Sequence, residues 1–453
     1  MDMLHGPIWN RLIVFAIPIA LTSILEQLFH ASDLAIVGQF TGELSTAAVA
    51  AVGANAPVVS LILDLMIGIS LGTSVTIGIS IGRKDTRDVD KIVHTSIVFA
   101  LTTGLIIAVL GQFIAGWVLE SMQVPADVMD MARIYLMIYL AGLPASLLYN
   151  FEAAIYRSVG ETRLPLMALA ISGVINVLLN IFFVVVLHMN VDGVAIATVL
   201  SNCISALILF YKLCHTDQII QVHLRKLKIH WPTLRRILRI GLPSGIQTGV
   251  FSLANIVIQS AINSLGTVVI AASSAAYNLE IFCYYCFGSF TKACTTFTSQ
   301  NYGAGQLDRC RKVFWLCMVE AFVGLSCVNL LLLSFSAPLL SLFNNNPQVI
   351  ELGQLRLLVL CLSFFFSMIY DICAGYLSGF GQTTVPAILS MIGVCGVRLF
   401  WIFFIFPRHH TFLSILLSYP VSLGITAFLL VGALLILRPD RRREQKTMAA
   451  QAE

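Results

Sequence analysis

The stretch LTTGLIIAVLGQFIAGWV, residues 101–118, holds no charged side chain along its whole length. Wound as a helix it would run roughly 27 Å at ~1.5 Å per residue, close to the ~30 Å of a bilayer's hydrocarbon core. Its apolar side chains fall on every face, which a soluble amphipathic helix would not do. The alternation of a transmembrane barrel strand is absent too.

The rest of the chain repeats this composition. Of 453 residues, 58% are hydrophobic and 11% charged, and the mean hydropathy is +0.89. A soluble domain carries about 25% charged residues. The reading is an all-α polytopic membrane protein of twelve transmembrane helices. Spans are expected near 11–38, 46–82, 92–119, 128–157, 163–187, 192–213, 234–264, 267–302, 310–334, 348–377, 384–406 and 412–437.

The Lys and Arg residues set the orientation. One side collects Arg11, the group Arg83 to Lys91, Arg157 and Arg163, the long loop with Arg225, Lys226 and Lys228, and Arg235 to Arg239. Arg309 to Lys312 and the tail residues Arg438, Arg441, Arg442, Arg443 and Lys446 fall on the same side. The positive-inside rule therefore predicts cytoplasmic termini and a cytoplasmic 214–233 loop. No basic stripe interleaved with aromatics argues for nucleic acid. The eleven cysteines lie inside apolar runs. Cys283 and Cys286 form a CxxC there, which reads as packing rather than as a redox pair. No removable signal peptide is expected at residues 1–10.

The two halves resemble each other. Residues 157–165, with Gly160, Thr162 and Pro165, match 378–386, with Gly381, Thr383 and Pro386. Residues 82–91 align with 303–312, and Pro18 with Pro243. Near-constant spacing across six spans points to duplication. The expected organisation is an N-lobe at 1–213, a basic linker at 214–233, a C-lobe at 234–437 and a cytoplasmic tail at 438–453. Six spans per half give both repeats one orientation, as in many secondary transporters.

Ionisable residues inside spans cost about 2.5–3.5 kcal/mol each on insertion scales, which makes each a functional hypothesis. In the first span Glu26, His30 and Asp33 share one helical face. Pro18 lies about four turns before Asp33 and removes a helix hydrogen bond, so it can hinge the span. Asn176, Asn180 and Thr198 could complete a cation site or serve as interhelical glue. Glu26 and His30 could equally face water at a span end. In the second half Glu280 and Asp371 either act in coupling or pair with a base, Arg398 or Lys292 being the available partners. Asp64 has no evident partner in sequence. The aromatic groups Phe282, Tyr284, Tyr285 and Phe287, with Phe364 to Phe366, suit either lipid contact or cation–π recognition of cargo. No Walker loop, HExxH or Rossmann pattern is present. Neither an enzyme nor a cofactor is expected, and energy would come from a gradient.

Pro18, the run Asp33-Leu-Ala-Ile-Val-Gly38, residues 298–305 (TSQNYGAG) and the paired Gly160 and Gly381 loops resemble the multidrug and toxic compound extrusion (MATE) family, DinF-like bacterial branch. The resemblance covers residues 8–437. It implies two six-helix lobes in a V shape and alternating access, with H⁺ or Na⁺ antiport against organic cations. It makes Pro18 the bending proline and Asp33 the coupling carboxylate, where Na⁺ could bind. Asn176, Asn180 and Thr198 would complete the site, and Glu280 and Asp371 lie near acidic positions of the sodium-coupled branch. Members of this branch often carry Asp where this chain has Asn180. The implied setting is a bacterial inner membrane, with a monomer that exports small cationic or amphipathic solutes. A lipid-linked oligosaccharide flippase of the same superfamily is the alternative. The acids Asp33, Glu280 and Asp371 outweigh the bases Lys292 and Arg398, which favours cationic cargo.

Overall fold

The computed structural model describes residues 1–42 and 45–439. The basic residues Arg441, Arg442, Arg443 and Lys446, and the expected tail from 440 onward, lie outside the described residues. Among the described residues the regular structure is helical: α1 (Trp9–Phe40), α2 (Ser45–Gly82), α3 (Thr86–Ser121), α4 (Ala126–Ala141), α5 (Leu143–Ser158), α6 (Arg163–Asn180) and α7 (Val191–Cys214) in the first half. The second holds α8 (Trp231–Asn263), α9 (Thr267–Gly303), α10 (Leu307–Ser334), α11 (Ser336–Ser341), α12 (Pro347–Gly379), α13 (Thr384–Ser390), α14 (Val397–Phe400) and α15 (Phe412–Leu437).

Among the described residues, 11 helices are long and apolar enough to cross a bilayer, or 12 when α4 and α5 count as one bent span. That pair bends by 47° where Gly142 meets Pro144, whose missing N–H interrupts the ladder. Helices turn bulky apolar groups outward, with Phe113, Trp117 and Phe428 all largely exposed. Lipid can take such groups, and the helix satisfies its own backbone.

The duplication is visible in the backbone. Gly160 (φ +83°) and Gly381 (φ +78°) hold matching left-handed turns, a conformation glycine adopts without strain. A π-helical turn follows α6 at Ile181–Val186, and another occupies Trp401–Ile405, 220 residues on (181 to 401).

The lobe boundaries differ from those expected. The chain forms two compact units, one of Leu21–Arg239, the other of Met1–Ala20 with the chain from Ile240 on. The first boundary falls two residues past Pro18, inside α1. Side chains explain the division. Leu12, Phe15 and Ala16 are buried in one core with Phe297 and Cys310, and Phe15 meets Phe297 edge-to-face. Arg309 donates to the carbonyls of His5 and Gly6 in the same unit. The start of α8 belongs to the other unit, where Arg236 donates to both oxygens of Asp88 at 2.8 Å. The linker is not a free loop, because Ile220 and Val222 are buried in that unit's core.

Candidate functional site

In the Leu21–Arg239 unit, a cavity of about 140 Å³ opens beside α1. It gathers Glu26, His30 and Asp33 from α1, Asn176 from α6 and Thr198 from α7. The spacing of the three α1 residues thus does put them on one face. Asp33 is buried, His30 exposed and Glu26 between the two.

Asp33 lies at the centre of a polar network. Its Oδ1 accepts from Asn180 Nδ2 at 2.6 Å, and its Oδ2 faces the Thr198 hydroxyl at 3.2 Å. Asn180 Nδ2 spends its other hydrogen on Asn176 Oδ1 at 3.2 Å. Asn180 is fully buried and is the last residue before the π turn, a feature that often marks functional sites. Its Oδ1 is buried without a hydrogen-bond partner.

Thr198 Oγ1 also lies 2.9 Å from the Val194 carbonyl. A hydroxyl has one hydrogen to give and two lone pairs, so Thr198 cannot donate to both. With Asp33 ionised, the hydrogen turns to Oδ2. With Asp33 protonated, the acid donates to Thr198, whose hydrogen turns to Val194. Both states are satisfied by one rotation of a hydroxyl. The oxygens of Asp33, Thr198, Asn176 and the spare Asn180 Oδ1 also make an all-oxygen set, the donor type that suits a hard cation.

Several lining residues carry no signal strong enough to read in sequence. Tyr139, Ser146, Tyr149, Asn150 and Asn202 all face the cavity, and Asn202 donates to Ser146 at 3.0 Å. The bend at Gly142 sets the direction of α5. A Cβ there would lie 2.3 Å from Val199, and one on Gly173 would lie 1.8 Å from the Phe29 ring, so small residues let α1, α6 and α7 close around the site. Glu152, also on α5, is fully buried with neither oxygen partnered. It was not among the expected intramembrane acids, although an isolated carboxylate in the 128–157 span was the available signal.

The second repeat lacks this chemistry. At the repeat offsets, Asp33 corresponds to Ile258 and Asn180 to Phe400. The other unit instead holds Glu280 in a buried ion pair. Arg356 donates from Nε to Oε2 at 3.0 Å and from Nη2 to Oε1 at 2.6 Å, and from Nη1 to Ser273 at 2.5 Å. This corrects the expected partners. Arg398 donates to Ser422 and lies 4.3 Å from the Tyr419 ring centroid, while Lys292 is exposed. Arg356 wins because it reaches both carboxylate oxygens in the bidentate geometry guanidinium favours. Asp371, on α12, lies outside that pair and outside the cavity. Among the aromatics proposed for cargo, Phe287 is fully buried and Phe364 packs against it at 6.0 Å, so these two fill the core. Cys283 is likewise buried there, its thiol donating to Asn329 at 3.2 Å.

A sequence profile of the MatE family matches residues 18–182 and 243–404, which are the two repeats. A probable multidrug resistance protein of Bacillus subtilis, YoeA, is 26% identical over 94% of this chain and 93% of its own. A probable multidrug resistance protein of Thermotoga maritima, NorM, is 26% identical over 86% of this chain and 84% of its own. The solved outward-facing structure of a multidrug resistance MATE family transporter superposes with TM-score 0.88 at 21% identity, over 97% of this chain and 98% of that one. With both repeats matched and the whole helical frame shared, the chain belongs to the MatE family of membrane transporters.

Proposed function

We propose that this chain exports small cationic or amphipathic organic solutes by ion-coupled antiport, with Asp33 as the group that takes up and releases the coupling ion. The observation that carries the reading is the buried Asp33 carboxylate, held by Asn180 and Thr198 in the lining of a small cavity. About 140 Å³ accommodates water or a small ion and falls short of the ~300–1,000 Å³ of drug-sized pockets. The cavity therefore suits the coupling ion rather than the cargo. The relatives named as multidrug resistance proteins support export of organic solutes.

The work of coupling falls to this chain's own side chains. Asp33 supplies the charge that an ion neutralises, and Asn180 holds one carboxylate oxygen in both states. Thr198 reorients its hydroxyl, so both Asp33 oxygens and the Thr198 hydroxyl stay hydrogen-bonded through ion exchange. Ion binding at one end of α1 would bias a hinge at Pro18 between two access states. Clustered Lys and Arg support cytoplasmic termini and a cytoplasmic 214–233 segment, in a bacterial inner membrane. A monomer suffices, since every residue of the site comes from one unit.

A flippase for anionic lipid-linked sugars would need intramembrane cations free to meet pyrophosphate. Arg356 is neutralised by Glu280, and Arg398 is held by Ser422 and Tyr419, which disfavours that reading. The test is ethidium efflux from proteoliposomes under an imposed H⁺ gradient and, separately, an Na⁺ gradient. Efflux driven by one ion is expected. Absence of efflux under both, with folded protein, would overturn the proposal in favour of a lipid-linked cargo.

A further inference from the structure

A second cavity, of about 540 Å³, lies in the same unit, where the linker meets the start of α3. Arg87 and Lys91 face it from α3, and Arg225, Lys226 and Lys228 from the linker. The one carboxylate in its lining, Asp90, is already engaged by Lys226 at 3.5 Å. Beyond that pair, Arg87, Lys91, Arg225 and Lys228 are four exposed cations around one open pocket with no second carboxylate in its lining.

The linker is built into this position. His94, a buried residue of the cavity lining, accepts from the backbone N–H of His223 through Nε2 at 3.0 Å. Its Nδ1 lies 2.7 Å from the Asp90 carbonyl, which fixes the tautomer with the proton on Nδ1. The ring thus serves as a strut between α3 and the linker. The backbone N–H of His230 donates to Thr95 at 3.2 Å, and Ile220 and Val222 anchor the segment in the core. Sequence alone reads these cations as determinants of topology and as lipid-facing anchors rather than as a binding site. Orientation needs only their number on one side of the membrane, not their convergence on one cavity, and gathering like charges is unfavourable unless an anion joins them.

We propose that this cavity binds a phosphate-bearing anion, either the headgroup of an anionic phospholipid or a soluble phosphate compound. Basic pockets on the cytoplasmic side of membrane proteins take such headgroups, so the lipid source rests on the orientation proposed above. The bound anion would bridge α3 and the linker and neutralise their mutual repulsion.

The experiment uses the full chain in nanodiscs of phosphatidylcholine with or without phosphatidylglycerol, and in detergent with inorganic pyrophosphate. Retained phosphatidylglycerol is counted by native mass spectrometry, and pyrophosphate affinity is taken from calorimetry. The variant Arg87→Gln/Lys91→Gln/Lys228→Gln spares the Lys226–Asp90 pair. The control Arg311→Gln/Lys312→Gln removes basic charge from the other unit. Binding at least tenfold weaker in the triple variant, and within twofold of wild type in the control, is expected. Should the triple variant not fold, Arg87→Gln alone, on an exposed side chain, is expected to lose about threefold. Retention of phosphatidylglycerol that pyrophosphate does not displace assigns the bilayer as source, and displacement assigns a soluble phosphate. Equal binding in wild type and variant, or equal loss in the control, overturns the site. Nanodiscs expose both faces and no transport is measured, so this outcome is independent of ethidium efflux and of orientation.

Discussion

Replacing Asp33 by Asn should separate coupling from folding. In the native network Asp33 Oδ1 accepts from Asn180 at 2.6 Å and Oδ2 faces Thr198 at 3.2 Å. An Asn side chain in the same rotamer keeps the first bond through its oxygen. Its amide nitrogen donates to Thr198, whose own hydrogen turns to Val194, so the variant reproduces the protonated state. A charge-assisted bond of about 1.5–3 kcal/mol is exchanged for a neutral one of about 0.5–1.5 kcal/mol, offset by removal of a buried charge. Stability should stay within about 1–2 kcal/mol of wild type. Transport should change far more, because one elementary charge crossing 100 mV supplies about 2.3 kcal/mol, roughly a fifty-fold solute gradient. In proteoliposomes the wild type is expected to approach that ratio for each coupled charge, and the variant to leave cargo at equal concentration on both sides. Gradient-driven efflux at the wild-type level would refute the coupling role. A stability loss above ~3 kcal/mol would instead mark Asp33 as a structural anchor.

The Glu280–Arg356 pair should behave in the opposite way. Either Glu280→Ala or Arg356→Ala strands a buried charge and should cost about 3–5 kcal/mol, whereas Glu280→Leu/Arg356→Met should cost far less. Denaturation of the three variants checks this, and equal losses in all three would exclude the ion pair as the cause. Gly173→Ala places a methyl against Phe29 and should cost about 1–3 kcal/mol by overpacking, with efflux reduced. Phe29→Leu in the same chain should restore part of both, and absence of rescue would point to a backbone effect. Pro18→Ala returns a hydrogen-bond donor to α1 and should slow turnover while leaving ethidium affinity nearly unchanged, as read by initial rates against equilibrium binding. An unchanged rate would remove the hinge from the mechanism.

What the sequence settles by itself is whatever depends on the local chain. Uncharged runs such as 101–118 must find a bilayer, because a helix bonds its own backbone and lipid accepts its side chains on every face. The period of about 220 residues set the duplication, and the i, i+4, i+7 spacing put Glu26, His30 and Asp33 on one face. Residue type offered Asn176, Asn180 and Thr198 as possible companions or as interhelical glue, and resemblance to a family favoured the first reading. Contact was another matter, since Asp33 meets Asn180 across 147 positions and Thr198 across 165. The cost of a buried charge is legible in sequence, but its partner is not, because pairing depends on which helix faces which. Hence Glu280 found Arg356 rather than Arg398. The lobe boundaries moved for the same reason. Residues 11–20 and 234–239 are ordinary helix in sequence, and only the packing of Phe15 on Phe297 and the pairing of Arg236 with Asp88 decide the unit to which each belongs. The basic linker reads as a cytoplasmic loop until Ile220, Val222 and His94 fasten it to α3.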